Sequence, residues 1–304
     1  MAVKTRINLF LEMHSYFMMG ARSLGETAPG YKPELESYQL ADASIREPRV
    51  WQEINDACLE ASDMAALQKA GERIASEFVF GDRDGASLIF KAMASAWPRW
   101  ESRELTEYRI GLQQLQITVF QSIFEDIVAP RVLPRLYERL GFVPLDAPVT
   151  LYPVLSGYVQ GAWGRTAEGY YLLVPAARRP KYVIAENILH ELTHVIEASQ
   201  PVPGKTLVAR LRRKASSADS KSLEDLIHGL VVWNAGEMIS RYVRDQHQPR
   251  QSLSLDAADQ IKRFKAVYSG PWSDYLDGKI SADAVIDALA AAVKTPPATA
   301  STPG

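Results

Sequence analysis

The stretch Ala185–Ser199, AENILHELTHVIEAS, constrains this chain more than any other. His190 and His194 stand four residues apart, with Glu191 directly after the first. In a helix that spacing brings both imidazoles onto one face, one turn apart. At about 100° per residue, Ile184, Ile188, Leu189, Leu192, Val195 and Ile196 gather on one side. Glu186, His190, Thr193, His194 and Glu197 gather on the other. The pattern predicts an amphipathic helix whose polar stripe carries two metal-ligand side chains, ended by Pro201, Pro203 and Gly204. The chain has five histidines, and two of them fall in this arrangement around a glutamate. A surface helix with two incidental histidines is the plainer alternative.

Two imidazoles at this separation can bind one zinc ion, with Glu191 as general base. The run His190-Glu191-Leu192-Thr193-His194 resembles the H-E-x-x-H signature of the zincin metallopeptidases. The resemblance implies a zinc-dependent peptide hydrolase that takes a peptide or protein substrate, with Zn2+ as cofactor. A catalytic zinc takes three protein ligands and keeps a position for water. The metzincin branch needs a glycine and then a third histidine after His194. Glu197 and Gln200 occupy those places, which excludes that branch. The gluzincin branch draws a glutamate from a later helix, and Asn234-Ala235-Gly236-Glu237 is loosely similar to its ligand helix. Glu237 is therefore the expected third ligand, although Arg241 stands where those families carry an acidic residue one turn on.

His228 is the alternative ligand, since a neutral imidazole binds zinc as well as a carboxylate does. Nine residues separate His228 from Glu237, so on a regular helix they face opposite sides and cannot share one metal. Glu224, one turn before His228, is a third option. The plain reading of Glu237 is an ion pair with Arg241 across one turn, and that of His228 is a histidine at a helix start with a backbone partner. Candidate donors to a developing oxyanion are His228, Arg241, Tyr242 and the Tyr170–Tyr171 pair. Glu197 and Asp225 are candidate acceptors for the second nitrogen of a ligand imidazole.

Around this helix the chain reads as α+β and predominantly α-helical. Residues 21–50 read as irregular connection. Trp51–Ala61, Met64–Phe80, Ser87–Ala96 and Glu101–Ile127 carry helical spacing, with Gly81–Gly85 as a turn between them. Pro130 and Pro134 bracket a short break. Val149–Leu155 and Gly169–Pro175 are strand candidates, with Pro153 placing the first near an edge. They predict a small antiparallel sheet before the metal helix, the order found in zincins, where an edge strand pairs with extended substrate. A second long helix covers about Ser222–Asp245, and closing helices cover 253–268 and 281–294. The expected organisation is a helical N-terminal region over 1–142, a zincin-like metal-binding region over 143–294 and a low-complexity tail over 295–304.

Composition removes several other classes. A formal net charge of -2 gives no reason to expect nucleic acid as a partner, and the basic stretch Lys205–Lys221 reads as a solvated helix and loop. The single cysteine, Cys58, excludes an intrachain disulfide and suits a cytoplasmic protein, with export after loss of a leader as the alternative. No apolar run is long enough to span a bilayer. The N-terminus reads as a first helix. Oligomeric state has no signature in the sequence. The rival to an enzyme is a catalytically silent zincin-like protein that binds metal and acts as a regulator or interaction protein.

Overall fold

The computed structural model describes residues 3–22, 30–154, 162–166, 168–175, 180–201, 204–244 and 259–294. The chain forms two compact units, each assembled from two stretches: Met1–Gln121 with Ala147–Arg179, and Ser122–Asp146 with Pro180–Gly304. These units divide the chain differently from a linear boundary at residue 142. The strands predicted ahead of the metal helix belong to the first unit. Val154, Tyr171 and Leu173 are buried in one apolar core with the N-terminal helices, so the sheet is held by those helices.

The first unit begins with a short strand, β1 (Val3–Thr5), where the sequence suggests helix. Helices α1 (Leu9–Arg22), α2 (Lys32–Ser44), α3 (Pro48–Glu60), α4 (Met64–Glu77), α5 (Phe80–Glu104) and α6 (Glu107–Ile123) follow. Within the connection expected over 21–50, Lys32–Ser44 form helix α2, and residues 23–29 lie outside the described residues. Pro33 sits in the first turn of α2, and Leu35, Tyr38 and Ala41 recur at a three-residue spacing on its buried face. The turn expected at Gly81–Gly85 is the first part of α5. Its glycines serve packing: a Cβ on Gly85 would lie 2.6 Å from Ile45, and one on Gly81 would lie 2.9 Å from the Ser44 carbonyl oxygen. Asp82 accepts hydrogen bonds from the Arg46 and Glu47 amides at 2.6 and 3.0 Å, tying α5 to the turn before α3.

The sheet is mixed, which corrects the antiparallel expectation. Strands β2 (Val149–Val154), β3 (Ala162–Thr166) and β4 (Gly169–Pro175) join β1 in the order β1-β2-β4-β3. The β1–β2 and β2–β4 pairs are parallel, and only β3–β4 is antiparallel. Pro153 keeps its edge character inside this arrangement. Leu151 turns its carbonyl toward β1 and accepts from the Arg6 amide. Pro153, two residues on, faces the same side past the end of β1. A missing N–H costs nothing there.

The second unit opens with a π-helical stretch, Phe124–Val132, containing Pro130. It runs into α7 (Leu133–Leu140), so the expected break between the two prolines is continuous helix. Gly141, at φ 68, terminates α7 in the left-handed conformation. Then come α8 (Lys181–Ala198), α9 (Leu207–Lys214), α10 (Ser220–Arg244), α11 (Asp259–Val267), a short π-helical turn Tyr268–Trp272, α12 (Ser273–Leu276) and α13 (Ala282–Lys294). Helices α8 and α10 pack against each other. The expected strand end at Leu155, the expected helix end at Asp245 and the expected features over 253–258 and 295–304 lie outside the described residues. No helix among the described residues is long and apolar enough to cross a membrane.

Candidate metal centre

Helix α8 is not a surface helix. Its apolar face, Ile184, Ile188, Leu189, Leu192, Val195 and Ile196, is buried as expected, but so are Glu186, Glu191 and Thr193. A helix enclosed nearly all round makes every polar group on it costly unless it has a partner or a task. Thr193 has a partner, donating to the Leu189 carbonyl at 2.7 Å. Beyond the helix end, Gln200 fixes the exit: its side-chain oxygen accepts from the Val143 amide at 2.7 Å, and its amide nitrogen donates to the Ile196 carbonyl at 2.8 Å.

His190 and His194 stand partly buried on this helix, with their Nε2 atoms 3.0 Å apart. His228 reaches them from α10. Its ring centroid lies 5.2 Å from that of His190 and 5.7 Å from that of His194, nearly parallel to the latter. One ring nitrogen from each of the three histidines lies within 4.8 Å of the other two. A tetrahedral zinc with Zn–N bonds of ~2.0–2.1 Å needs ligand nitrogens about 3.3 Å apart, so the trio lies close enough to hold a metal ion once its rings draw together. Imidazole donors suit zinc, copper, iron or nickel, and the geometry alone does not choose among them.

Electrostatics prepare His190 and His194 as ligands. Burial, reinforced by His194 and His228, lowers the His190 pKa to about 3. Burial and then His228 lower that of His194 to about 4. Both rings are therefore neutral at physiological pH, with lone pairs for a cation. Two neutral imidazoles with Nε2 atoms 3.0 Å apart either share one proton or both present lone pairs to the space between them.

His228, and not Glu237, lies with His190 and His194 among the described residues. The reason is the one that opposed them on the sequence. Helix α10 starts at Ser220, two turns before His228, so both residues lie within one regular helix and face opposite sides. The side toward α8 carries His228. Glu237 is buried, 4% exposed, and its carboxylate lies 3.6 Å from Nε of Arg241. That is the ion pair across one turn that the plain reading offered. Arg241 also donates to Asp277 and to the Ser273 carbonyl, so it is committed to the α12 region and not to the three histidines. Glu224 is held by Arg212. The side chain of Tyr242 lies outside the described residues. Tyr171, named as a possible donor, is occupied in the first unit, donating to Asp56 and accepting from Gln52.

Glu191 has 5% of its surface exposed, and burial raises its pKa to about 8. Its carboxyl has no hydrogen-bond partner among the described residues, although its oxygens are not sealed from solvent. It follows His190 in the chain. A buried carboxyl that titrates near neutrality, next in the chain to one of three clustered histidines, can take up and return a proton. No family model, no curated protein and no solved structure matches this chain.

Proposed function

We propose that this protein is a zinc-dependent peptide hydrolase with His190, His194 and His228 as its metal ligands and Glu191 as its general base. The observation that carries the reading is the position of Glu191. Three clustered imidazoles account for metal binding alone, and none of that requires a buried carboxyl, without a hydrogen-bond partner among the described residues, one residue after the first ligand. Zinc, when bound, supplies a Lewis acid that acidifies water and polarises a carbonyl.

The chain's own groups do the rest. His190 and His194 hold their neutral form, and each of the three histidines brings one ring nitrogen within 4.8 Å of the other two. Glu191 accepts a proton from the attacking water and delivers it to the leaving amine. Burial of Glu191 raises the proton affinity of its carboxyl toward the working pH. A metal cation held by the histidines would lower that affinity again, which would let Glu191 serve as base first and acid second.

Replacing Glu191 by Gln keeps the size and removes the proton carrier. Zinc content of the purified Glu191→Gln protein is expected to match wild type, while peptide hydrolysis falls about 10²–10⁴-fold. Loss of zinc together with activity would assign Glu191 to binding. Retained zinc with undiminished biological effect would favour a metal-binding regulator over an enzyme.

A further inference from the structure

Helix α9 carries Arg210, Arg212, Arg213 and Lys214 within eight residues. Arg210 pairs with Asp283 and Lys214 with Asp287, both on α13. Arg212 does something different. Its Nη1 donates to Oε1 of Glu224 on α10, and its Nη2 lies 3.9 Å from Oε1 of Glu197 on α8. Glu197 follows His194 by three residues, and Glu224 precedes His228 by four. Each carboxylate therefore sits one helical turn from a histidine of the metal trio, on that histidine's own helix. One guanidinium joins the two.

The geometry points to Arg212 as a positioning residue of the metal centre: by bridging Glu197 and Glu224 it sets how closely the turn of α10 bearing His228 approaches the His190–His194 pair on α8. This rests on the metal-centre reading and is independent of peptide hydrolysis. The bridge matters because His228 is the exposed member of the trio and the only one contributed by α10. Two ligands one turn apart on α8 are held in place by the helix itself. The third depends on the spacing between two helices, and metal–ligand distances tolerate errors of only ~0.2 Å. A planar guanidinium can hold two carboxylates at once in fixed directions, whereas an ammonium offers a single mobile charge. The three charged side chains are partly exposed, at 42%, 22% and 54% for Arg212, Glu197 and Glu224. Exposed pairs of this kind contribute little to global stability, so the effect is local to the site.

A second effect of the same cation runs the other way. Arg212 neutralises two carboxylates beside the site, and removing it would unmask negative charge that attracts a metal ion. Positioning and masking therefore predict opposite signs for one substitution. The test measures zinc affinity of the full chain by chelator competition, for wild type, Arg212→Ala, Arg212→Lys, Glu224→Gln and Lys214→Ala. Positioning predicts 10–100-fold weaker zinc binding in Arg212→Ala and in Glu224→Gln. Arg212→Lys should fall between Arg212→Ala and wild type, and Lys214→Ala should match wild type. Melting temperatures of the metal-free variants should stay close to that of wild type, which separates a displaced ligand from a damaged fold. Zinc binding by Arg212→Ala at or above wild-type affinity overturns the proposal. If Arg212→Ala does not fold, Arg212→Lys with wild-type affinity overturns it instead. Absence of zinc binding by the wild-type chain sinks the metal centre itself, and the role of Arg212 with it.

Discussion

His14 in the first unit and His190 in the second are both held neutral far into acid, with pKa values lowered to about 3. Their surroundings share almost nothing else. His14 is alone among aromatic groups, its Nδ1 3.0 Å from the Tyr38 hydroxyl and its ring near Trp51. Burial lowers its pKa first, and the charge of Arg22 adds to that. His190 is lowered by burial and then by two other imidazoles. A shifted histidine is therefore weak evidence of function taken singly. What distinguishes the two is the neighbour: a hydroxyl that satisfies one nitrogen, or two more nitrogens aimed at the same space.

The largest expected effect tests the structural half of this contrast. An ordinary histidine titrates near 6.5, so between pH 6.5 and about 3 the unfolded chain binds a proton at position 14 that the folded chain refuses. Stability is fully present above pH 6.5 and is lost as pH falls through that window. At ~1.4 kcal/mol per pH unit the loss from this one group reaches about 4–5 kcal/mol. His14→Gln removes the titration and leaves an acceptor for Tyr38. Urea unfolding followed from pH 7 to pH 4 should show a distinctly flatter acid slope in the variant. Equal slopes would mean that His14 takes up its proton in the folded state.

The carboxylates divide in the same manner. Glu104 is enclosed in the first unit and is met by Arg109 at 2.8 Å, Arg103 at 3.2 Å and Gln113 at 3.4 Å. Glu34 is enclosed there too, meeting Arg99 at 2.5 Å and Ser95 at 2.9 Å. Glu191 is also buried, but it has no hydrogen-bond partner among the described residues and its oxygens reach solvent. Breaking a buried, paired charge costs about 3–5 kcal/mol, so Glu104→Ala should lower the stability of the protein by roughly that amount. Glu191→Gln replaces a carboxyl that is already mostly protonated at pH 7. In the metal-free protein it should change stability by no more than about 0.5 kcal/mol. Denaturant titration of the two variants side by side measures the difference. Similar losses in both would place Glu191 among the structural carboxylates.

Much of the second unit was legible because helices announce themselves locally. The periodicity of α8, the long helix after it and the final helix all follow from apolar spacing within single segments. The sheet was half legible. Val149–Leu155 and Gly169–Pro175 carry strand composition, but their parallel pairing and the addition of Val3–Thr5 depend on partners far away in sequence. The glycines at 81 and 85 read as a turn because glycine has two uses, and only the neighbouring Ser44 and Ile45 reveal that here it allows close packing. At the metal centre, the pair His190–His194 follows from spacing alone. The approach of His228 to that pair does not, because it depends on how α10 packs against α8, and the family likeness points to Glu237 instead. The local signal was present: Arg241, one turn after Glu237, offers that carboxylate a partner.

That third position supplies the smallest effect and the sharpest division between the two classes of buried polar group. If His228 is a ligand, His228→Ala leaves two nitrogens on α8 and lowers zinc affinity by at least ~100-fold, about 2.7 kcal/mol. The metal-free fold should barely register the change, since His228 is exposed on α10. Glu237→Ala should show the reverse. It removes the carboxylate beside Arg241 and lowers stability, while zinc affinity stays within a few-fold of wild type. Zinc titration and urea unfolding on the same two proteins give four numbers, and the crossing pattern is the point. A variant at 237 that loses zinc without losing stability would return the third ligand to the glutamate, and would mean that α10 turns on its axis when the metal enters.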